Sequence, residues 1–378
     1  MADSRLGPGD IFLSSGEASG DHYLAQLAEA LRTEGFGGDL WGMAGDEAER
    51  AGVTRSWSND ALHLMGVSEV LPSIPRLIKL KNDIVHHIVR MSPGAAVLAD
   101  SPDFHIPLAR ALKKKGYAGK IFYIAPPTVW AWRKRRTTAL RAFFDICFPL
   151  LGFEDQFLKS NGVTSRWKGY PLLDEMHPQP FGCLKKQVKP LTIGLFPGSR
   201  PGEVRRLAPV LRNVADGINR MDKKPVVSVA PSLPDTEKER LVDLFKGYEV
   251  FSGPGKELLN RVDCAIGASG TLAMESLLRG KWMIVLYMAS FSSWLAYRVA
   301  VRTPWISLPN VVADEEIFPE LLQRDVESEN ILSLLLDFIE SPSRQKAVAA
   351  GMGKAVSRLG DNGAYRFWAR SISEVTDI

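Results

Sequence analysis

Two carboxylates in this sequence have surroundings that suit proton transfer. Asp100 closes the apolar run AAVLAD and is followed by SPDFH. A carboxylate at the carboxyl end of a buried strand faces the crevice where open α/β sheets bind ligands, and can serve there as a general base. Its neighbour Asp103 fits an Asx turn closed by Pro102. Glu17 lies in SSGEASGD, residues 14–21, where Ser19 and Gly20 keep the backbone slim enough to approach a ligand. The plainer reading of that turn is a tight connection capped by Ser or Asp. It lacks the G-x-G-x-x-G spacing of a dinucleotide site.

Two further turns suit an anion. In LFPGSRPGEVRR, residues 195–206, Gly198 and Ser199 can offer backbone N–H groups to a phosphate and Arg200 adds a charged fork. No Lys-Ser or Lys-Thr follows the glycines, so this is not a triphosphate-holding P-loop and suits a departing diphosphate better. In GASGTLAMES, residues 267–276, Gly270 and Thr271 fall at the positive end of a helix, and Glu275 on its second turn can accept ribose hydroxyls. A serine-hydrolase elbow would need glycine where Thr271 stands.

Metal chemistry finds no residues for itself. No two aspartates stand two apart, so the D-x-D clamp of manganese-dependent sugar transferases is missing. The histidines, at positions 22, 63, 86, 87, 105 and 177, show no H-x-x-x-H or paired Cys/His spacing. Neither a metal nor a cofactor is expected.

These turns need strands to carry them. DIFLSS, DLWGMAG, AAVLAD, KIFYIAP and DICFPL each precede a polar or amphipathic stretch, which is the signature of parallel βαβ units. After a proline-dotted stretch at 171–190 the pattern restarts with LTIGLFPG, PVVSVAP, DCAIGAS and WMIVLYM. The expectation is an α/β protein of two Rossmann-like, doubly wound domains, 1–180 and 190–378, with a linker near residue 180. The last strand signal ends near Tyr287, and helical composition follows.

At 378 residues the chain has room for two cores. Charged residues make up 24% and hydrophobic ones 45%, a globular balance that excludes disordered and fibrous classes. The three cysteines, 147, 183 and 264, form no C-x-x-C pair and read as reduced and cytoplasmic. No apolar run precedes Ile11, so no signal peptide is expected. The uncharged run 282–297 falls short of the ~20 residues of a membrane span and reads as a buried strand followed by an apolar helix. Net charge is +4, and residues 104–144 contain no acid but many Lys and Arg, which marks either solvated helix faces or a surface for anionic lipid or phosphate.

SGEASGD, MGVSEVLP (65–72), SPDF (101–104), VWAWR (129–133), FPGSRPGEV (196–204), ASGT (268–271) and SLPN (307–310) occur in the order found in lipid-A-disaccharide synthases. The sequence resembles that family over nearly its whole length. The resemblance implies a GT-B fold, with two Rossmann-like domains facing a central cleft and C-terminal helices packing back on the first. The implied reaction joins UDP-2,3-diacylglucosamine to 2,3-diacylglucosamine 1-phosphate, the acceptor called lipid X, with inversion, loss of UDP and no metal. By resemblance the UDP-sugar contacts Gly198, Ser199, Arg200, Ser269, Gly270, Thr271, Glu275 and Asn310. Asp100 and Glu17 are the catalytic candidates, and Ser19 and Gly20 line the acceptor loop. His105 stands where the family pattern leads one to expect asparagine, LGFE (151–154) replaces a proline-containing version, and IAPPTVWAW is one residue longer than the common pattern.

Apolar residues recur at helical spacing over 67–91 with Arg76, Lys79 and Lys81 between them. Core packing is one cause of such a stripe. Both implied substrates are acylated, however, and an exposed face carrying Val67, Ile74, Leu77 and Ile78 would dock on a bilayer. The expected setting is therefore cytoplasmic, peripheral on the inner face of the inner membrane, with no nucleic-acid partner and a homodimer left open. Rival readings are a transferase on a lipid-linked peptidoglycan precursor, a UDP-sugar epimerase, or a non-catalytic nucleotide-sugar or lipid binder.

Overall fold

A computed structural model describes residues 7–63, 70–131, 134–182, 184, 190–289 and 303–376. The chain forms two compact units, residues 1–174 with 360–378 and residues 175–359. The first holds β1 (Ile11–Ser15), β2 (Leu40–Ala44), β3 (Thr54–Ser58), β4 (Ala95–Ala99), β5 (Lys120–Ile124) and β6 (Ile146–Phe148). The second holds β7 (Thr192–Phe196), β8 (Lys224–Val229), β9 (Glu249–Ser252), β10 (Cys264–Ala268), β11 (Trp282–Tyr287) and β12 (Glu320–Leu322).

Each unit has one parallel sheet, ordered β3-β2-β1-β4-β5-β6 and β12-β11-β10-β7-β8-β9. Read from β9 to β12, the second repeats the order of the first. In both, the strand order reverses beside the unit's first strand, between β1 and β4 and between β7 and β10. That reversal opens the crevice in which doubly wound sheets bind ligands. Strands β1, β2, β4, β7, β10 and β11 lie in the middle of their sheets and are buried along nearly their whole length, which is why they read as unbroken apolar runs.

β3, β9 and β12 depart from the sequence expectation, which ended strand signals at Tyr287 and placed none at these positions. All three are edge strands, with sequences TRSWS, EVFS and ELL. An edge strand leaves one side to solvent and needs no apolar run to form, so its sequence carries little signal.

The domain limits also differ from those expected. The chain leaves the first unit after Asp174 and returns to it at Gly360. The Ala364–Thr376 helix packs on the Ala18–Thr33 helix, with Trp368 edge-on to Tyr23 at 6.1 Å. The Ser328–Glu340 and Pro342–Ser357 helices stay in the second unit, where Phe338 stacks on Trp282 at 3.7 Å. Of the described helices after β11, the last alone therefore packs back on the first unit. The helix expected after β11 falls largely on residues 290–302, outside the described residues, and no described helix is long and apolar enough to cross a membrane.

Candidate active site

The β1 and β4 turns meet in the first unit. Asp100 follows β4 with φ 55°, and Ser101 follows with φ 40°. Two successive non-glycine residues in the left-handed region cost roughly 1–2 kcal/mol each, so the surroundings must hold them. The Asp100 N–H donates to the Ile124 carbonyl at 3.2 Å, and the Asp100 carbonyl accepts from the Tyr123 hydroxyl at 2.8 Å. Its carboxylate accepts the Gly16 amide at 3.0 Å and the Glu17 amide at 3.2 Å. Burial, reinforced by the nearby Glu17 carboxylate, pushes the Asp100 carboxyl up to about 7, against the pull of the Ser101 hydroxyl and the two amides. A group that changes charge near neutrality at the end of a strand has the chemistry of a general base.

Gly20 allows this approach. A Cβ there would lie 1.9 Å from the Asp100 Oδ2, inside contact distance. Glu17 is exposed at the N-cap of the Ala18–Thr33 helix, and Ser19 is half-buried on its first turn. Asp21, the last residue of SGEASGD, is buried and engaged elsewhere. Its carboxylate accepts the amides of Gly45, Glu47 and Ala48 at 2.6, 3.0 and 3.3 Å, at the start of the Asp46–Arg50 helix. Asp103 sits in the first turn of the Pro102–Lys114 helix and pairs with Arg136. From the VWAWR motif, the Trp130 Nε1–H donates to the buried Glu154 at 2.9 Å, while residues 132 and 133 lie outside the described set. Burial raises the Glu154 carboxyl. Among the cations of residues 104–144, Lys113 and Lys120 converge on Asp145.

The turns after β7, β10 and β11 converge in the second unit. Gly198 has φ 113°, and a Cβ placed on it would meet Ala268 at 3.4 Å and the Glu203 carboxylate at 2.7 Å. Ser199 and Arg200 are exposed, with Arg200 at the N-cap of the Pro201–Arg220 helix. Gly270 and Thr271 are exposed at the start of the Thr271–Leu278 helix, Ser269 is anchored by its N–H to the Leu286 carbonyl at 2.9 Å, and Glu275 is half-buried. Two helix N-termini and a guanidinium thus face solvent beside the switch point, an arrangement that favours an anion. Sequence reading passed over Arg206 and Tyr287. The Arg206 Nε–H donates to the Met288 carbonyl at 2.9 Å, and the Tyr287 phenol, raised by burial, feels Glu203, Arg200 and Arg206. Arg206 closes the quoted motif, six residues beyond Arg200, and its place in the motif was the available signal.

Asn310 corrects the expected contact set. Its side chain is fully buried and donates to the Phe318 carbonyl at 2.7 Å and to Glu320 at 2.8 Å, while its oxygen accepts the Ile317 and Phe318 amides at 3.0 and 2.9 Å. All four hydrogen-bonding positions of the amide are occupied, which leaves none for a nucleotide. Glu320 also accepts the Ser307 hydroxyl and the Ile306 and Ser307 amides. The SLPN motif therefore holds the Leu308–Ala313 helix against β12.

The stripe over 67–91 is divided. In the Val70–Met91 helix, Ile84, Val85 and Ile88 are core residues, while Ile74 and Ile78 are 40% and 49% exposed. Leu77 corrects the docking set, because it packs against the core of the first unit. Val67 lies outside the described residues. Among the described residues no three His, Cys, Asp or Glu side chains gather to hold a metal ion.

Two Rossmann-like units, each with loops grouped at its switch point, define a GT-B protein. The chain aligns over most of its length with solved structures of this fold. One is a UDP-GlcNAc 2-epimerase from Neisseria meningitidis bound to UDP-GlcNAc, with TM-score 0.62, 11% identity and coverage of 97% of this chain and 100% of that one. Another is Acinetobacter baumannii MurG, with TM-score 0.60, 12% identity and coverage of 97% and 99%. At such identities the likeness carries the fold alone. Residues 11–366 match the family model described as lipid-A-disaccharide synthetase, and the chain belongs to that family. It is 30% identical to the lipid-A-disaccharide synthase of Myxococcus xanthus over 97% of this chain and 98% of that one, and 31% identical to that of Anaeromyxobacter sp. (strain K) over 94% of each. The protein is an enzyme of lipid A biosynthesis.

Proposed function

We propose that the enzyme joins UDP-2,3-diacylglucosamine to 2,3-diacylglucosamine 1-phosphate in a single inverting displacement, giving the β-1,6-linked disaccharide 1-phosphate and UDP. The observation that carries this reading is the Asp100 carboxyl, held by the Gly16 and Glu17 amides beside the β1–β4 switch point and titrating near neutrality. In this reading Asp100 takes the proton of the acceptor 6-hydroxyl as that oxygen attacks the anomeric carbon. Glu17, exposed at the same turn, is the alternative base, and it would leave Asp100→Ala with substantial turnover.

The first unit takes the acceptor, with Ser19 and Gly20 lining its loop. The second takes the UDP-sugar through Gly198, Ser199, Arg200, Ser269, Gly270, Thr271 and Glu275, while Asn310 holds the Leu308–Ala313 helix through Phe318 and Glu320. Charge growing on the departing diphosphate is met by Arg200 and the helix N-termini, a fixed electrostatic environment that does the work of a metal. The acylated substrates place the enzyme at the cytoplasmic face of the inner membrane, docked through Ile74 and Ile78 with Arg76 and Lys79 beside them. A homodimer is compatible with this reading, and nucleic acid has no part in it.

Mass analysis of the products made from the two substrates, with and without EDTA, tests the reading. The disaccharide 1-phosphate should form at equal rates in both, with UDP released only when the acylated acceptor is present. UDP release without acceptor, epimerised UDP-sugar, or binding without turnover would each replace it.

A further inference from the structure

Asp100 is gripped at three places: at its N–H by the Ile124 carbonyl, at its carboxylate by two amides, and at its carbonyl oxygen by two side chains. The last of these grips involves His105. This residue is fully buried in the first turns of the Pro102–Lys114 helix, and both of its ring nitrogens have partners. Nδ1 lies 2.9 Å from the Asp100 carbonyl oxygen, and Nε2 lies 2.9 Å from the Ser14 hydroxyl. A carbonyl oxygen only accepts, so Nδ1 carries the proton. In the neutral ring Nε2 is then an acceptor, and Ser14 donates to it. Burial keeps the ring neutral by pushing it down to about 4. Ser14 belongs to β1, whose neighbour β4 delivers Asp100. The imidazole thus ties the end of β1 to the turn after β4, across the switch point.

The turn needs such a tie, because Asp100 and Ser101 both stand in the left-handed region that side chains avoid. With one of its two donors lost, the Asp100 carbonyl is held by the Tyr123 hydroxyl alone, the peptide after Asp100 is freer to rotate toward extended backbone, and the carboxylate is drawn away from the Gly16 and Glu17 amides. We infer that His105 is a positioning residue, which fixes the Asp100 carbonyl through its Nδ1–H and so aims the Asp100 carboxylate. The inference rests on the reading of Asp100 as the base. Of the other charged or titratable groups, Glu17 from the β1 turn and Tyr123 on β5 act on Asp100, and Tyr123 in turn feels Cys147, Arg136 and Asp103.

His105→Asn and His105→Leu separate positioning from simple packing. The asparagine amide nitrogen stands as many bonds from Cα as Nδ1 does, so it keeps the donor. Leucine keeps apolar bulk and loses it. His105→Leu should lower kcat on the order of 10- to 100-fold, the cost of a misplaced catalytic group, with KM for the UDP-sugar within about twofold. The acid limb of its kcat–pH profile should move to higher pH, because the carboxylate loses amide donors. His105→Asn should restore most of the rate and the wild-type limb. If the leucine variant does not fold, Tyr123→Phe, which removes the other donor to the same carbonyl, should move the limb in the same direction. Equal losses in the leucine and asparagine variants with unmoved limbs would overturn the inference. A carboxyl-carbon NMR titration of Asp100 reads the effect without turnover: an unchanged Asp100 titration in His105→Leu would overturn it too. If Asp100→Ala remains active, the base assignment fails on its own, and this titration still decides whether His105 positions the carboxyl.

Discussion

The Asp21 carboxylate accepts the Gly45 amide at 2.6 Å, reaching from the first helix of the chain to the start of the second. With the Glu47 and Ala48 amides it satisfies a helix N-terminus that has no capping side chain of its own. Asp21→Ala leaves those donors buried or half-buried without an acceptor. It should cost roughly 2–3 kcal/mol in urea unfolding. A loss below about 0.5 kcal/mol would mean that water replaces the carboxylate.

Gly20→Ala should spare the fold and damage the reaction. The added methyl would overlap the Asp100 carboxylate, and the easiest relief is for that carboxylate to swing away. Turnover should fall on the order of 10²- to 10⁴-fold, the usual contribution of a placed general base. Alanine also favours helix over glycine, so the melting temperature should hold. Full activity in this variant would remove Asp100 from the reaction.

Asp100 and His105 oppose each other in acid. The Asp100 carboxyl titrates at about 7 in the folded chain against an ordinary 3.8, so the folded state holds a proton that the unfolded chain has lost, and stability falls as pH rises through that window. His105 titrates at about 4 against 6.5, so the unfolded chain binds a proton that the folded state refuses, and stability falls as pH drops from 6.5 toward 4. Asp100→Asn should therefore melt higher than wild type at pH 8, with the gain vanishing toward pH 4, and should show a steeper acid loss. His105→Asn should flatten that acid loss. Melting curves across pH 4–8 check both, and parallel curves for the variants and wild type would contradict the two assignments.

How much of this was legible in the sequence depends on how many contacts each residue needs. Strands buried on both faces announced themselves, and so did the turns that follow β1, β4, β7 and β10, because small residues after an apolar run have few other uses. Among the edge strands the buried β6 did, but β3, β9 and β12 did not, since one open side relaxes the demand on TRSWS or EVFS. Asn310 looked like a ligand contact because its motif is distinctive. Its amide is consumed by Ile317, Phe318 and Glu320, partners seven to ten residues on that no local pattern announces. The grip of His105 on Asp100 was hidden for the opposite reason: the two are only five residues apart, but the contact exists only when the intervening turn is left-handed.

Arg200→Ala should weaken UDP binding by roughly 10- to 150-fold, the loss of a charge-assisted contact of about 1.5–3 kcal/mol. Titration calorimetry with UDP measures it, and unchanged affinity would take Arg200 out of the site.

Ile74→Ser with Ile78→Ser should reduce sedimentation with anionic-lipid vesicles and leave the melting temperature in place, since both side chains already face solvent. High salt should weaken wild-type binding only in part, because screening reaches Arg76 and Lys79 and not apolar insertion. Leu77→Ser should instead lower stability, as a polar group placed against the core does. Vesicle binding that survives the double substitution would move the docking face elsewhere.

The return of the chain to its first unit at Gly360 has a consequence for synthesis. Trp368, Ala369 and Ile372 belong to the same core as Tyr23, Leu24 and Leu27. On the ribosome the first sheet is complete long before these residues emerge, so its Ala18–Thr33 helix must wait through the whole translation of residues 175–359 with an apolar flank uncovered. Nascent chains stalled anywhere in that interval should be the form of this protein that chaperones hold longest.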